Sequence, residues 1–270
     1  WGEHSARLSP IANNLGRVML RVGDVAGART HFERALVIDE KVYGPAHPHV
    51  AEVVNNRGVC LYMLGDGPAA ESDFRRALEI YQMNVGQEHA KIASIVNNLG
   101  YSLVSRGQLN AARAQFTSAL EMAQATLGKV HPTVAAVLRN LGNVCRAMRQ
   151  PRDAKTCFEQ AAAIDERVLG PDHPDTAADL TGVAESADDL GELPRAKVLL
   201  TRAIGIEEAL PTPALGRLIE RYSTLARIHQ KLGDDQESRR CTVKAELAQS
   251  KLTPNPVADG QGLETFSLRG

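Results

Sequence analysis

Aromatic residues make up only 4% of the sequence, and alanine and leucine recur where they are missing. Small side chains of high helix propensity favour close-packed helices over sheets. An excess of charge of one sign is also absent: 31 basic residues face 32 acidic ones, for a formal net charge of -1. That balance removes the electrostatic footprint expected of a nucleic-acid or anionic-membrane binder. No apolar run approaches the ~18 residues of a membrane span, and no signal peptide is evident. The four cysteines (Cys60, Cys145, Cys157, Cys241) form no CxxC pair and have no histidine at short spacing. They read as buried thiols, which points to a reducing, cytoplasmic compartment. Neither a GxxxxGKS/T loop nor a GxGxxG turn occurs. No serine or cysteine nucleophile has a recognisable histidine and aspartate around it. The expectation is a chain that is not an enzyme and uses no cofactor or metal. Its first residue is Trp1 rather than methionine, which suggests excision or processing from something longer.

What is present is a repeat. The segments 53–58 (VVNNRG), 95–100 (IVNNLG) and 137–142 (VLRNLG) lie 42 residues apart, and the same step back from Gly58 reaches Gly16. Ala28, Ala70, Ala112, Ala154 and Ala196 share one column, with Ser238 closing it. Phe32, Phe74, Phe116 and Phe158 share another, continued by Leu200. Ala35, Ala77, Ala119, Ala161, Ala203 and Ala245 are alanine in all six copies. Each copy divides at a turn (Gly23-Asp24, Gly65-Asp66, Gly107-Gln108, Gly191-Glu192, Gly233-Asp234), where glycine ends one helix and a polar residue begins the next. The fourth copy has Arg149-Gln150-Pro151 there, with proline suited to a first helical turn. Between copies run GPAHP (44–48), GQEHA (86–90), GKVHP (128–132) and GPDHP (170–174). Gly2-Glu3-His4-Ser5 reads as a worn version of this joint, and Leu210-Pro211-Thr212-Pro213 keeps only the break. The spacing predicts hairpins over about 8–43, 48–85, 90–127, 132–169, 174–210 and 214–250, and a flexible tail over 251–270.

Within a copy, Val54, Arg57, Gly58 and Leu61 fall on one stripe of the first helix. The glycine lets the second helix approach, and Ala70, Phe74 and Ala77 answer it as small, large, small. Ala184 and Ala226 keep that slot small in the later copies.

Leu99, Gly100, Leu103, Ala112, Phe116 and Ala119 resemble the pattern of the tetratricopeptide repeat, and the resemblance covers about residues 8 to 250. The 42-residue unit with its NNLG and GxxHP elements is similar to the repeats of kinesin light chains and nephrocystin-type proteins. The resemblance implies an all-α fold, a right-handed α-solenoid superhelix with the first helix of each hairpin lining the concave side. It also implies a scaffold or adaptor that holds a protein or peptide partner in that groove. An alternative is a sensor or regulatory arm of a larger signalling protein, such as a STAND-type NTPase, working through contact with flanking domains.

Counting about 100° per residue places the candidate groove residues opposite the packing stripe. They are Asn14, Arg17 and Arg21 in the first copy and Asn56, Val59 and Met63 in the second. Asn98 and Tyr101 follow in the third, Asn140 and Asn143 in the fourth. A carboxamide both donates and accepts, so an asparagine ladder suits the backbone of an extended peptide. The same ladder would also serve hydrogen bonds between neighbouring helices. Asn13, Asn55 and Asn97 point sideways and suit that second role. Double replacement of Asn56 and Asn98 by alanine is expected to abolish capture while stability barely moves. Arg17 and Arg21 at one end, with Glu185 and Asp189 in the fifth copy, suit either a partner acidic near the first repeats or a solvated charged face. At the positions where chaperone-binding repeats carry a carboxylate clamp stand Asn13, Arg17, Asn56, Ser94 and Asn98, which argues against such a clamp. His47, His89, His131 and His173 are too far apart, at about 10 Å per repeat, to share a metal. They suit capping or loop packing. Asp165-Glu166 and Glu207-Glu208 read as exposed charges. Leu263, Phe266 and Leu268 would anchor the tail if it folded into the groove.

Overall fold

The computed structural model describes residues 2–85 and 90–252, with side chains over 7–84 and 91–252. Among the described residues there are twelve helices and no strand. They fall into two compact units divided after Gly128. The first holds α1 (Gly2–Arg21), α2 (Val25–Tyr43), α3 (Pro48–Met63), α4 (Gly67–Val85), α5 (Ala90–Ser105) and α6 (Leu109–Leu127). The second holds α7 (Pro132–Ala147), α8 (Pro151–Val168), α9 (Pro174–Asp189), α10 (Leu193–Glu208), α11 (Leu215–Lys231) and α12 (Asp235–Lys251). Each odd-numbered helix packs on the following even one as a hairpin. Within the units α2 also packs on α3, α4 on α5, α8 on α9 and α10 on α11.

The turns inside the hairpins follow the sequence closely. In all six the residue after the turn glycine, or after Arg149, returns its N–H to a carbonyl five residues back, as from Asp66 to Leu61 at 2.9 Å. This closes the first helix with one residue in the left-handed region. Arg149 fills that place at φ 59 where the other copies have glycine. The second helix then starts on a capping carboxylate where aspartate is present: Asp24 accepts from the Gly27 amide at 2.8 Å. Asp66 does the same for Ala69 at 3.1 Å.

The joints between hairpins use histidine. Nδ1 of His47 accepts from the His49 amide at 3.2 Å, and His131 and His173 do likewise for Thr133 and Asp175 at 3.1 Å. Proline follows at the first helical position, where its missing donor costs nothing. The histidines are therefore helix caps, one per joint. His89 lies outside the described residues. Gly2-Glu3-His4-Ser5 is helical rather than a joint, part of the single helix Gly2–Arg21.

The core is one motif copied. Phe32, Phe74, Phe116 and Phe158 are fully buried. A Cβ added to Gly16, Gly58 or Gly100 would lie 2.7 Å from the ring of Phe32, Phe74 or Phe116, and one on Gly142 2.9 Å from Phe158. In the fifth hairpin both partners change together. Leu200 replaces the ring, Ala184 replaces the glycine, and the two sit in one buried cluster. Cys60, Cys145 and Cys241 are buried and Cys157 is half-buried, all four within helices and none in a disulfide.

Candidate functional site

In the first unit, α1, α3 and α5 bring the predicted groove residues onto corresponding places. Asn14 and Arg21 are exposed, and Arg17, Met63 and Tyr101 are partly exposed. Asn56, Val59 and Asn98 are buried. The buried carboxamides link neighbouring first helices. Nδ2 of Asn56 donates to Oδ1 of Asn13 at 3.0 Å, and Nδ2 of Asn98 donates to Oδ1 of Asn55 at 3.0 Å. Each bond joins the second asparagine of one copy to the first asparagine of the copy before it. Asn13 also donates to Glu52 at 3.3 Å, and Lys91 donates to the other Glu52 oxygen at 2.7 Å. Glu52 thus ties α1, α3 and α5 together. Burial pushes its carboxyl up, but the bond and charge of Lys91 and the bond from Asn13 hold it below the usual range. Tyr101 stands edge-on to Phe116, with centroids 5.5 Å apart, so its ring is anchored to the core.

In the second unit Asn140 is buried on α7 and Asn143 is exposed. The asparagine column ends at Gly182 for a steric reason. A Cβ there would lie 2.4 Å from Cδ1 of Phe158, whose ring fills the space of a side chain. Ion pairs take over the linking role. Arg146 pairs with both Glu185 and Asp189, and Asp188 pairs with Arg227 and Lys231. These pairs run between successive first helices, α7 to α9 and α9 to α11, and leave Glu185 and Asp189 engaged.

Two buried charge clusters lie deeper in the same unit. The Arg139 guanidinium donates from Nη2 to Asp165 at 2.7 Å and from Nε to Asp179, with Asp175 at 3.7 Å. Two buried carboxylates against one cation are not both satisfied as anions. Burial, opposed by Arg139 and aided by Asp179, pushes the Asp165 carboxyl up to about 7. One period on, the same three columns carry Thr181, Glu207 and Arg221. There Arg221 donates to Glu207 at 2.8 Å and to Thr181 at 2.9 Å. Burial pushes Glu207 up, but the Ala214 amide and the charges of Arg217 and Arg221 outweigh it and hold the group low. Asp165 and Glu207 are therefore buried, not exposed as expected. Their columns face the next hairpin, and only their neighbours Glu166 and Glu208 reach solvent. In the first unit a third unforeseen pair joins Arg57 to Asp73 through two bonds of 2.6 and 2.7 Å. A signal for it existed. Arg57 replaces the leucine found at Leu15, Leu99 and Leu141, and Asp73 stands 16 residues on.

A family model described as tetratricopeptide repeat matches residues 7–83, 91–167 and 150–209. The chain belongs to the tetratricopeptide repeat family. Repeats of this family generally serve as protein-interaction scaffolds rather than as enzymes. Among curated proteins none matches. Among solved structures, the chain is similar to BtubC (BKLC) from P. vanneervenii at 18% identity and a TM-score of 0.70, covering 93% of this chain and 94% of that one. It is also similar to a putative kinesin light chain from Podosopora anserina with nearly identical TPR-like repeats. That match has 22% identity and a TM-score of 0.64, over 78% of this chain and 100% of that one. The apo form of RapI matches at 12% identity and a TM-score of 0.64, over 93% of this chain and 76% of that one. At these identities the likeness is one of fold. Among the described residues no helix of this tetratricopeptide array is long and apolar enough to cross a membrane.

Proposed function

We propose that this chain is an adaptor that captures an extended segment of a partner protein on the faces of its first helices. In the first unit the face is built on Asn14, Arg17, Arg21, Met63 and Tyr101, with Asn56, Val59 and Asn98 beneath. In the second it is built on Asn143 over Asn140. The observation that carries this reading is the division of labour on this face. Asn56 and Asn98 are sealed into bonds that fix the spacing of the helices, while Asn14, Arg17 and Arg21 present donors to solvent. A rigid scaffold with polar groups at its surface is what capture of a peptide backbone requires. Arg17 and Arg21 favour a segment acidic at that end. Four cysteines outside any disulfide fit a reducing, cytoplasmic setting.

The test compares affinity capture by the chain with capture by the double variant Arg17→Glu and Arg21→Glu. Both residues reach solvent, so melting should be unchanged while the captured protein is lost. Equal capture by the variant and the parent would remove this face as the binding site.

A further inference from the structure

The fourth and fifth hairpins are held together differently at their two ends. At the turn end, ion pairs tie α7 to α9, from Arg146 to Glu185 and Asp189. The middle is apolar, with Cys145, Phe158 and Val183 in one buried cluster. At the joint end, Asp165 in the last turn of α8 and Asp179 on α9 meet over the single guanidinium of Arg139. The two carboxyls are 1% and 0% exposed. The other charged groups facing them are Asp175, 3.7 Å from Arg139, and His173, 3.6 Å from Asp175. This arrangement suits one proton better than none. Oδ1 of Asp165 meets no hydrogen-bond donor. Asp179 takes two bonds from the guanidinium, whereas Asp165 takes one and lies at the negative end of the α8 dipole. Burial pushes both carboxyls up, and a hydrogen bond between them needs a proton on one.

The next interface shows the balanced alternative. In the same columns α10 and α11 set one carboxylate, Glu207, against Arg221 and Arg217, with the Ala214 amide as a further donor at 2.9 Å. That site is complete without a proton. In the earlier copies the columns of Asp165 and Asp179 carry Asp39 with Val53, Tyr81 with Ile95, and Ala123 with Val137. Two acids face each other across these columns only between the fourth and fifth hairpins.

We infer that the α8–α9 contact is a proton-operated latch: its joint end is closed while one proton is held between Asp165 and Asp179, and opening it about the ion-paired turn end releases that proton. An open contact gives both carboxyls to water, where neither needs the proton. Opening therefore grows as pH rises, by up to about tenfold per pH unit, and levels off once the closed form has also lost the proton. The latch governs local motion of two hairpins and does not depend on the capture proposed above.

The test is hydrogen exchange of the full chain, corrected for the intrinsic rate at each pH. Between about pH 5 and about pH 8, protection of the α9 amides from Ala177 to Leu180 should fall about tenfold or more in the parent. In Asp165→Asn, whose amide donates to Asp179 at every pH, protection should stay level. Asp179→Asn leaves one carboxylate for Arg139 and should be equally level. The α11 amides from Leu218 to Tyr222, beside Glu207, are the reference and should hold steady in all three. An infrared difference spectrum over the same range reports the proton itself. The parent should lose the carbonyl stretch of a buried carboxylic acid, and Asp165→Asn should lack that change. Protection independent of pH in the parent, or a parent spectrum without the acid band, would overturn the proposal. A pH response that survives in Asp165→Asn would assign it to His173 and overturn it equally. Should a variant fail to fold, exchange and infrared spectra of the parent still decide.

Discussion

The β-carbon that Gly58 lacks would stand 2.7 Å from Cε1 of Phe74, closer than unbonded carbons approach. Glycine and ring are 16 residues apart and occupy one volume, so neither can change alone. Gly58→Ala should destabilise the chain by about 1–3 kcal/mol, the range for overpacking. Phe74→Leu in the same background should recover a large part of that loss, as Ala184 and Leu200 already do in the fifth hairpin. A double-mutant cycle from denaturant melts measures the coupling, and strict additivity would show that the two sites are independent.

Asn14 and Asn56 are one period apart, yet the first is exposed and the second buried. Asn56→Ala leaves Oδ1 of Asn13 without its 3.0 Å donor and should cost about 1–3 kcal/mol. Asn14→Ala should stay within about 0.5 kcal/mol. Urea midpoints check both. The burial also revises the expectation drawn from the sequence, that replacing Asn56 and Asn98 would spare stability. Such a variant is expected to lose it, so it is not a clean probe of capture.

Asp165 should give the chain a pH dependence of its own. Its carboxyl is pushed up to about 7 in the folded state, against an ordinary value near 4 when unfolded. The folded form therefore holds a proton that the unfolded form has released. The stability this confers is full below about pH 4 and is lost as pH rises through about 7, by at most ~1.4 kcal/mol per pH unit. Asp165→Asn removes the dependence, so the variant should gain on the parent between about pH 4 and pH 7. Parallel melting curves across that range would show that Arg139 keeps Asp165 ionised throughout.

Arg149 holds φ 59, where the equivalent turn residues are glycine. An L side chain there costs roughly 1–2 kcal/mol, partly offset by the freedom glycine adds to the unfolded chain. Arg149→Gly should stabilise by about 0.5–1 kcal/mol, read as a rise in the thermal midpoint.

The fold was legible because its determinants repeat. Glycine against phenylalanine, the turn glycines, and the histidine-proline joints each recur at 42 residues, and recurrence exposes a column's role. The charge clusters were not legible for the opposite reason. An acid recurs in the column of Asp165 and Glu207, but its arginine is Arg139 on α7 in one copy and Arg221 on α11 in the next, and Arg57 with Asp73 marks a single copy, so no constant pairing repeats. Only the packing of helices far apart in sequence brings their members together. The candidate face was half legible. Helical counting put Asn14, Arg17, Arg21, Met63, Tyr101 and Asn143 where they reach solvent, and Asn13 and Asn55 bond between repeats as expected. Counting alone did not distinguish a carboxamide at the surface from one a few degrees further round, closed in by the neighbouring helix.

The most direct measurement of the central claim is hydrogen exchange of the full chain, free and with its captured partner bound. Protection gained on the exposed sides of α1, α3 and α5, with α2, α4 and α6 unchanged, is the outcome expected if the first helices hold the partner. Protection confined to α2, α4 and α6 would contradict it and move the binding surface to the other side of the hairpins.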